Sequence, residues 1–169
     1  MAANATLVSV QEYLRLQAKP AFEYHHGTLT QKHMPTWKHS LLQLRIGQLL
    51  SAVPGLMVGS ELTVRVREDR YLVPDVAVQR RANIQDPYPI EPIPLCVEVL
   101  SPDDRLSEVI GKAEEYHTWG VPMVWILDPL LPTAWEFPAG GRIHEVPQGG
   151  SLTAEGIAIP LSELFSVLD

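Results

Sequence analysis

The run Leu95–Leu100 (LCVEVL) constrains the fold more than any other stretch of the chain, because it is apolar on both faces except at Glu98. A strand of that kind belongs in the middle of a sheet, covered on both sides. Alternation sets Cys96, Glu98 and Leu100 on one face and Leu95, Val97 and Val99 on the other, so Glu98 carries a carboxylate into an otherwise apolar layer. Burying that charge costs several kcal/mol unless it is paired or bound to metal. Glu98 is therefore a functional acid, a partner of an arginine, or a residue at an exposed edge.

The elements around this strand follow from periodicity. Ser9 caps a short helix within Val8–Leu16, and FEYHHGTLT (Phe22–Thr30) reads as a hairpin turning at His-Gly. From Trp37 to Val53, Leu41, Leu42, Leu44, Ile46, Leu49 and Leu50 make one broad apolar helix face, closed by Pro54-Gly55. The period then changes to two. Leu62, Val64 and Val66 alternate with Thr63, Arg65 and Arg67, and Glu68-Asp69-Arg70 turns the chain into a strand over Tyr71–Val78. A proline-rich connection (Pro87, Pro89, Pro92, Pro94) leads to the central strand, Ser101–Asp104 caps a helix over Leu106–Trp119, and Val121–Leu127 is a second buried strand. Further strands at Ala134–Phe137 and Arg142–Val146 precede a terminal helix near Leu161–Leu168. The expected class is α/β (α+β): from Trp37 onward an α-β-β-β-α-β core, a mixed sheet flanked by helices, with an N-terminal hairpin and C-terminal strands and helix. With 169 residues, 46% of them hydrophobic, the chain suits a single domain over residues 1–169.

Composition narrows the function classes. One cysteine, Cys96, excludes an intramolecular disulfide and a multi-cysteine zinc site, and it reads as a small core residue. His25-His26 has no third ligand at a plausible spacing. No apolar stretch approaches the ~20 residues of a membrane helix, and Met1–Val8 lacks a charged n-region and an h-region, so a cytoplasmic protein without membrane contact is expected. A formal charge of −7 opposes tight non-specific nucleic-acid binding. A nucleic-acid enzyme of this composition would need Arg65, Arg67, Arg80 and Arg81 along one face. Trp37, Trp119, Trp125 and Trp135 read as core or interface anchors.

Asp75 opens the strand segment Val76–Val78 after Pro74. Alone, Pro-Asp is a common turn pair, but strands about 4.8 Å apart can bring Asp75 and Glu98 onto one divalent ion. Carboxylate oxygens with open water positions suit Mg²⁺ or Mn²⁺ better than zinc. Lys112, on the helix that follows, lies at the border of the stripe Val109, Ile110, Ala113 and Tyr116. It can lean toward Glu98 or pair with Glu108 one turn away on a solvated face.

The segments FEYHHGTL, KHSLLQLRIGQLL, VPDVAV, IPLCVEVLSPDDR, GKAEEYHTWGVPMVWILDP and LSELF resemble the Uma family of putative restriction endonucleases, a branch of the PD-(D/E)XK nuclease superfamily, from about Val10 to Leu168. The resemblance implies the same core, a Mg²⁺- or Mn²⁺-dependent endonuclease acting on nucleic acid, most naturally DNA, and Asp75 and Glu98 as metal-binding acids with the backbone carbonyl of Val99. The superfamily's lysine usually stands two residues after the acid. Here that position is Leu100, and the role falls to Lys112. Glu23 and His39 match an acidic residue of the family's hairpin and a histidine at the start of its first core helix. Either they border the metal cleft or they are a surface acid and a helix-start histidine. The family's further acidic pattern in the hairpin is replaced by Tyr24-His25-His26. Leu100 and the net charge leave a rival class open, a catalytically inactive nuclease-fold module for binding or dimerisation. Cutting both strands of a duplex with one site per chain requires a homodimer, with Pro87–Pro94 and Trp135–Phe137 as contact surfaces.

Overall fold

The computed structural model describes residues 7–169, so the expectation for Met1–Val8 falls mostly outside the described residues. The chain begins with α1 (Val10–Leu14), where Ser9 and Glu12 form a reciprocal capping box. Strands β1 (Phe22–His25) and β2 (Thr28–Gln31) follow. Their two-residue turn has φ of +48° at His26 and +85° at Gly27, the left-handed geometry that matches strand twist in tight hairpins. Helix α2 (Trp37–Ser51) is capped by the Thr36 hydroxyl and buries Leu42, Ile46 and Leu50. Next come β3 (Leu56–Ser60), β4 (Val64–Arg67), β5 (Arg70–Leu72), β6 (Val76–Arg80) and β7 (Leu95–Val99). Helix α3 (Leu106–Trp119) ends at Gly120, whose φ of +119° accepts the left-handed cap. The chain closes with β8 (Met123–Asp128), β9 (Thr133–Pro138), β10 (His144–Glu145), β11 (Ser151–Ala154), β12 (Ile157–Pro160) and α4 (Leu161–Phe165).

Six strands form the main sheet in the order β10-β9-β8-β7-β6-β3. Strands β7 and β8 run parallel, joined through α3, and the other neighbours run antiparallel. One face, bearing Leu95, Val97, Val99, Trp125 and Leu127, packs on α2, α4 and the β11–β12 hairpin. The other, bearing Ala77, Cys96, Val124 and Ile126, packs on α3 and on Val64 and Val66 of β4. A second sheet, β2-β1-β5-β4, joins α1 through Tyr13, Tyr24 and Tyr71.

The α-β-β-β-α-β core is present, and the strands that fill it differ from those expected. Its first strand is Leu56–Ser60, paired with β6. The Leu62–Val66 hairpin belongs to the second sheet, paired with β5. Tyr71–Val78 is two strands, broken at Val73–Asp75, because Pro74 lacks an N–H for the ladder and the chain crosses there between sheets. Helix α3 starts from Arg105 without a side-chain cap; Asp104 instead accepts the Ser101 N–H at 2.7 Å. The Trp135–Phe137 segment is no free surface: it lies between β8 and β10, with Phe137 buried. Trp125 is fully buried, Trp119 and Trp135 are half-buried, and Trp37 is 78% exposed and anchors nothing in the core. Among the described residues no helix is long and apolar enough to cross a membrane.

Candidate functional site

Strands β6 and β7 pair with Val76 opposite Val97 and Ala77 opposite Cys96. Carrying that register one residue further sets Asp75, just before β6, opposite Glu98 near the end of β7. Both side chains point to the face of Ala77 and Cys96, toward α3, because side chains alternate along a strand. The antiparallel pairing thus brings the two acids to one end of the sheet, where the β1–β2 hairpin and α3 close over them. Both acids are buried.

Lys112 reaches them from α3. Its Nζ lies 2.9 and 3.0 Å from the two oxygens of Glu98 and 2.6 Å from Glu23 Oε1, and it donates to the Val73 carbonyl at 3.3 Å. The pairing with Glu108 in solvent is not the one adopted. Glu23 comes from β1 and also accepts the Val73 N–H at 3.1 Å. His39, in the first turn of α2, sets Nε2 3.5 Å from Asp75 Oδ2, and its buried Nδ1 has no hydrogen-bond partner among the described residues. Asp75 Oδ2 accepts the Val99 N–H at 2.7 Å, and the Asp75 carbonyl accepts from the Gln43 side chain at 2.8 Å. The structure therefore brings Asp75, Glu98, Val99, Lys112, Glu23 and His39 together around one cleft.

Two further groups belong to this cluster. Lys32, immediately after β2, places Nζ 2.6 Å from Asp75 Oδ1, 3.3 Å from Glu61 Oε1 and 3.0 Å from the Val73 carbonyl. Period-two alternation carried it there: Glu23 pairs with Thr30, and Lys32 is the next residue on that face. Tyr116, expected as part of the apolar stripe of α3, is fully buried but donates its hydroxyl to Glu98 Oε1 at 2.8 Å. The stripe masked this role, since periodicity cannot separate the ring from its polar tip.

The electrostatics follow from burial and these neighbours. Burial, helped by the charge of Asp75 and opposed by Lys112, pushes Glu98 up to about 7. Burial also acts upward on Asp75, but Lys32 and then His39 outweigh it and hold this carboxyl well below its usual range. Lys112 is held above the ordinary lysine range because Glu23 and Glu98 outweigh the cost of its burial. Cys96 is buried with its thiol pushed up, first by burial and then by Glu98, as suits a core residue.

The cleft, about 760 Å³, is lined by four basic residues (Lys19, Lys32, Arg70, Lys112) and seven acidic ones (Glu23, Glu61, Asp75, Glu98, Asp104, Glu108, Glu115). It is negative in sum, which suits a cation before it suits a phosphate. The four arginines expected along one face are dispersed. Arg65 and Arg67 lie on β4, Arg67 within 3.9 Å of Asp69 and Glu115. Arg80 and Arg81 lie at the far end of β6, about 17 Å from Asp75 at the usual rise per residue, and Arg80 pairs with Glu155.

A mixed sheet with one parallel pair, flanked by α2 and α3, matches the α-β-β-β-α-β arrangement expected of a restriction-endonuclease-like fold. The chain belongs to the Uma2 family, described as putative restriction endonuclease, whose profile matches residues 10–162. The crystal structure of a putative nuclease belonging to DUF820 from Anabaena variabilis is similar in fold, with a TM-score of 0.83 and 24% identity over 95% of this chain and 99% of that chain. No curated protein matches the chain.

Proposed function

We propose that this chain is a metal-dependent endonuclease that hydrolyses phosphodiester bonds in nucleic acid, with DNA as its substrate, working as a single nuclease-like domain in the cytoplasm. The observation that carries this reading is the pairing register that sets Asp75 opposite Glu98, with the Lys112 ammonium bonded to Glu98. The donors fit a hard divalent ion: two carboxylates from adjacent strands and Val99, which lines the same acidic cleft. Asp75, Glu98 and the Val99 carbonyl would hold Mg²⁺ or Mn²⁺. Bound there, the ion would supply Lewis-acid stabilisation of the scissile phosphate and an activated water.

The chain's own groups do the remaining work. Lys112, fixed by Glu23 and Glu98, is placed to orient a water at its ammonium or to offset charge on the pentavalent phosphorus. The Val99 N–H and the Tyr116 hydroxyl set the orientation of the two acids. His39 and Glu23 border the site as positioning residues. Cleavage of both strands of a duplex requires two such sites, so we expect a homodimer.

The test is cleavage of single-stranded, duplex and branched DNA with Mg²⁺ or Mn²⁺, against a chelator control and Asp75→Asn. Light scattering at micromolar concentration checks the dimer; a mass of 18.8 kDa would restrict the reading to nicking or single-strand cleavage. One observation favours a second reading, a nuclease-fold module that binds or dimerises without hydrolysis: a lysine is paired with each acid, and Leu100 stands where the superfamily's lysine is usual. Metal-independent DNA binding with no cleavage by either ion would select it.

A further inference from the structure

We propose that Lys32 stands in for a divalent cation on Asp75, so that metal binding is an exchange in which the Lys32 ammonium leaves that carboxylate for Glu61. The inference rests on reading Asp75 and Glu98 as the metal ligands, and concerns a residue outside that set. Oxygen by oxygen, Asp75 Oδ2 is taken by the Val99 N–H at 2.7 Å and faced by His39. Oδ1 is the oxygen left for a cation, and Lys32 Nζ sits 2.6 Å from it. A magnesium ion binds carboxylate oxygen at about 2.0–2.1 Å, so an ammonium on the same oxygen would press a second positive charge against it.

The two lysines of the cluster differ in what holds them. Lys112 is clamped between Glu23 and Glu98, both with side chains about one-tenth exposed or less. Lys32 has one buried acid and one alternative: Glu61 Oε1 is already 3.3 Å away, on a side chain 26% exposed at the cleft edge. Glu61 is also anchored, its N–H bonded to the Asp75 carbonyl at 3.1 Å. A short swing of a flexible side chain therefore frees Asp75 Oδ1 without unpairing the ammonium, while Lys112 stays on Glu98. In the absence of metal the same contact compensates Asp75, which would otherwise be an unpaired buried charge.

The experiment is Mn²⁺ binding to the whole chain without nucleic acid, read by electron paramagnetic resonance of the free ion and by calorimetry. Lys32→Met keeps the stem and removes the charge, and should bind Mn²⁺ more tightly by roughly tenfold, in the range of ordinary coupling between sites. Lys32→Arg keeps the charge and should bind no more tightly than wild type. Equal or weaker binding by Lys32→Met, with Asp75→Asn still abolishing binding, overturns the exchange and leaves the metal site standing. No Mn²⁺ binding by any variant overturns both. Should Lys32→Met fail to fold by circular dichroism, the lysine ¹⁵Nζ resonances of wild type decide: Mg²⁺ should move the Lys32 signal and leave Lys112 in place, and an unmoved Lys32 signal at saturation overturns the proposal.

Discussion

The two ends of β6 carry the same kind of interaction in opposite settings. At its start, Asp75 is paired with Lys32 and stands across from Glu98 and Lys112, with side chains 3–15% exposed in a cleft of about 760 Å³. At its end, Arg80 pairs with Glu155, with side chains 49% and 62% exposed, beside a smaller hollow of about 220 Å³. Water screens the second pair and contributes most of what the partner contributes, so losing either member changes little. The first cluster has exchanged water for partners. Each member is then costly to remove, and its charge acts at close to full strength on whatever enters the cleft. Ion pairs of similar geometry thus form a buried charge cluster at one end of a strand and ordinary surface at the other, and burial makes the difference.

Four measurements would break or sharpen that contrast. The largest effect is expected for Glu98→Gln or Asp75→Asn, each lowering Mg²⁺-dependent cleavage by roughly a thousandfold, as loss of a charged metal ligand worth several kcal/mol implies. Residual cleavage within tenfold of wild type would place the chemistry elsewhere. Next, Lys112→Met leaves Glu98 buried without its cation and should destabilise the protein by about 3–5 kcal/mol in urea unfolding near pH 8. The loss should be smaller at pH 5, where Glu98 takes up a proton. An equal loss at both pH values would mean that the Lys112–Glu98 pair contributes nothing, leaving Glu23 and packing to account for the effect.

The third measurement is the pH dependence of the metal-free protein, where the two acids pull in opposite directions. Glu98 is raised from 4.5 to about 7, so its contribution is fully present below the unfolded value and is lost as pH rises through about 7. Asp75 is lowered, so its contribution is present above its unfolded value of 3.8 and is lost as pH falls below it. Thermal melts should show stability declining between about pH 5 and 8 in wild type, and this part of the decline should vanish in Glu98→Gln. The smallest effect belongs to the far end of the strand: Arg80→Ala should change stability by no more than about 0.5–1 kcal/mol and leave cleavage intact. A larger loss of cleavage would mean that the exposed pair takes part in substrate binding.

Parts of this arrangement are legible in the order of residues. The LCVEVL run reads as a covered central strand, and its alternation puts Glu98 on one face and Val97 and Val99 on the other; packing decides that α3 covers the first face and α2 the second. The α3 stripe places Lys112 at the right border of its helix, but the same spacing allowed Glu108 as a partner, and periodicity has no means of choosing between them. The β3 strand was hidden because Leu56–Ser60 includes Gly59 and a half-buried pattern without clean alternation. The Pro74 break was visible as a residue but not as a passage between two sheets.

What the sequence by itself determined is local: the type of the long periodic elements, which face of them is apolar, and that a carboxylate at position 98, once buried, had to find a partner or an ion. The tertiary structure decided which charges meet. Lys32, Glu23, Asp75, Glu98 and Lys112 come from four separate segments, and their contacts of 2.6–3.0 Å depend on sheet register and on how the β1–β2 hairpin folds over the strand ends. Coulomb energy depends on distance and on exclusion of water. Both are properties of the packed molecule, and neither is written in the spacing along the chain.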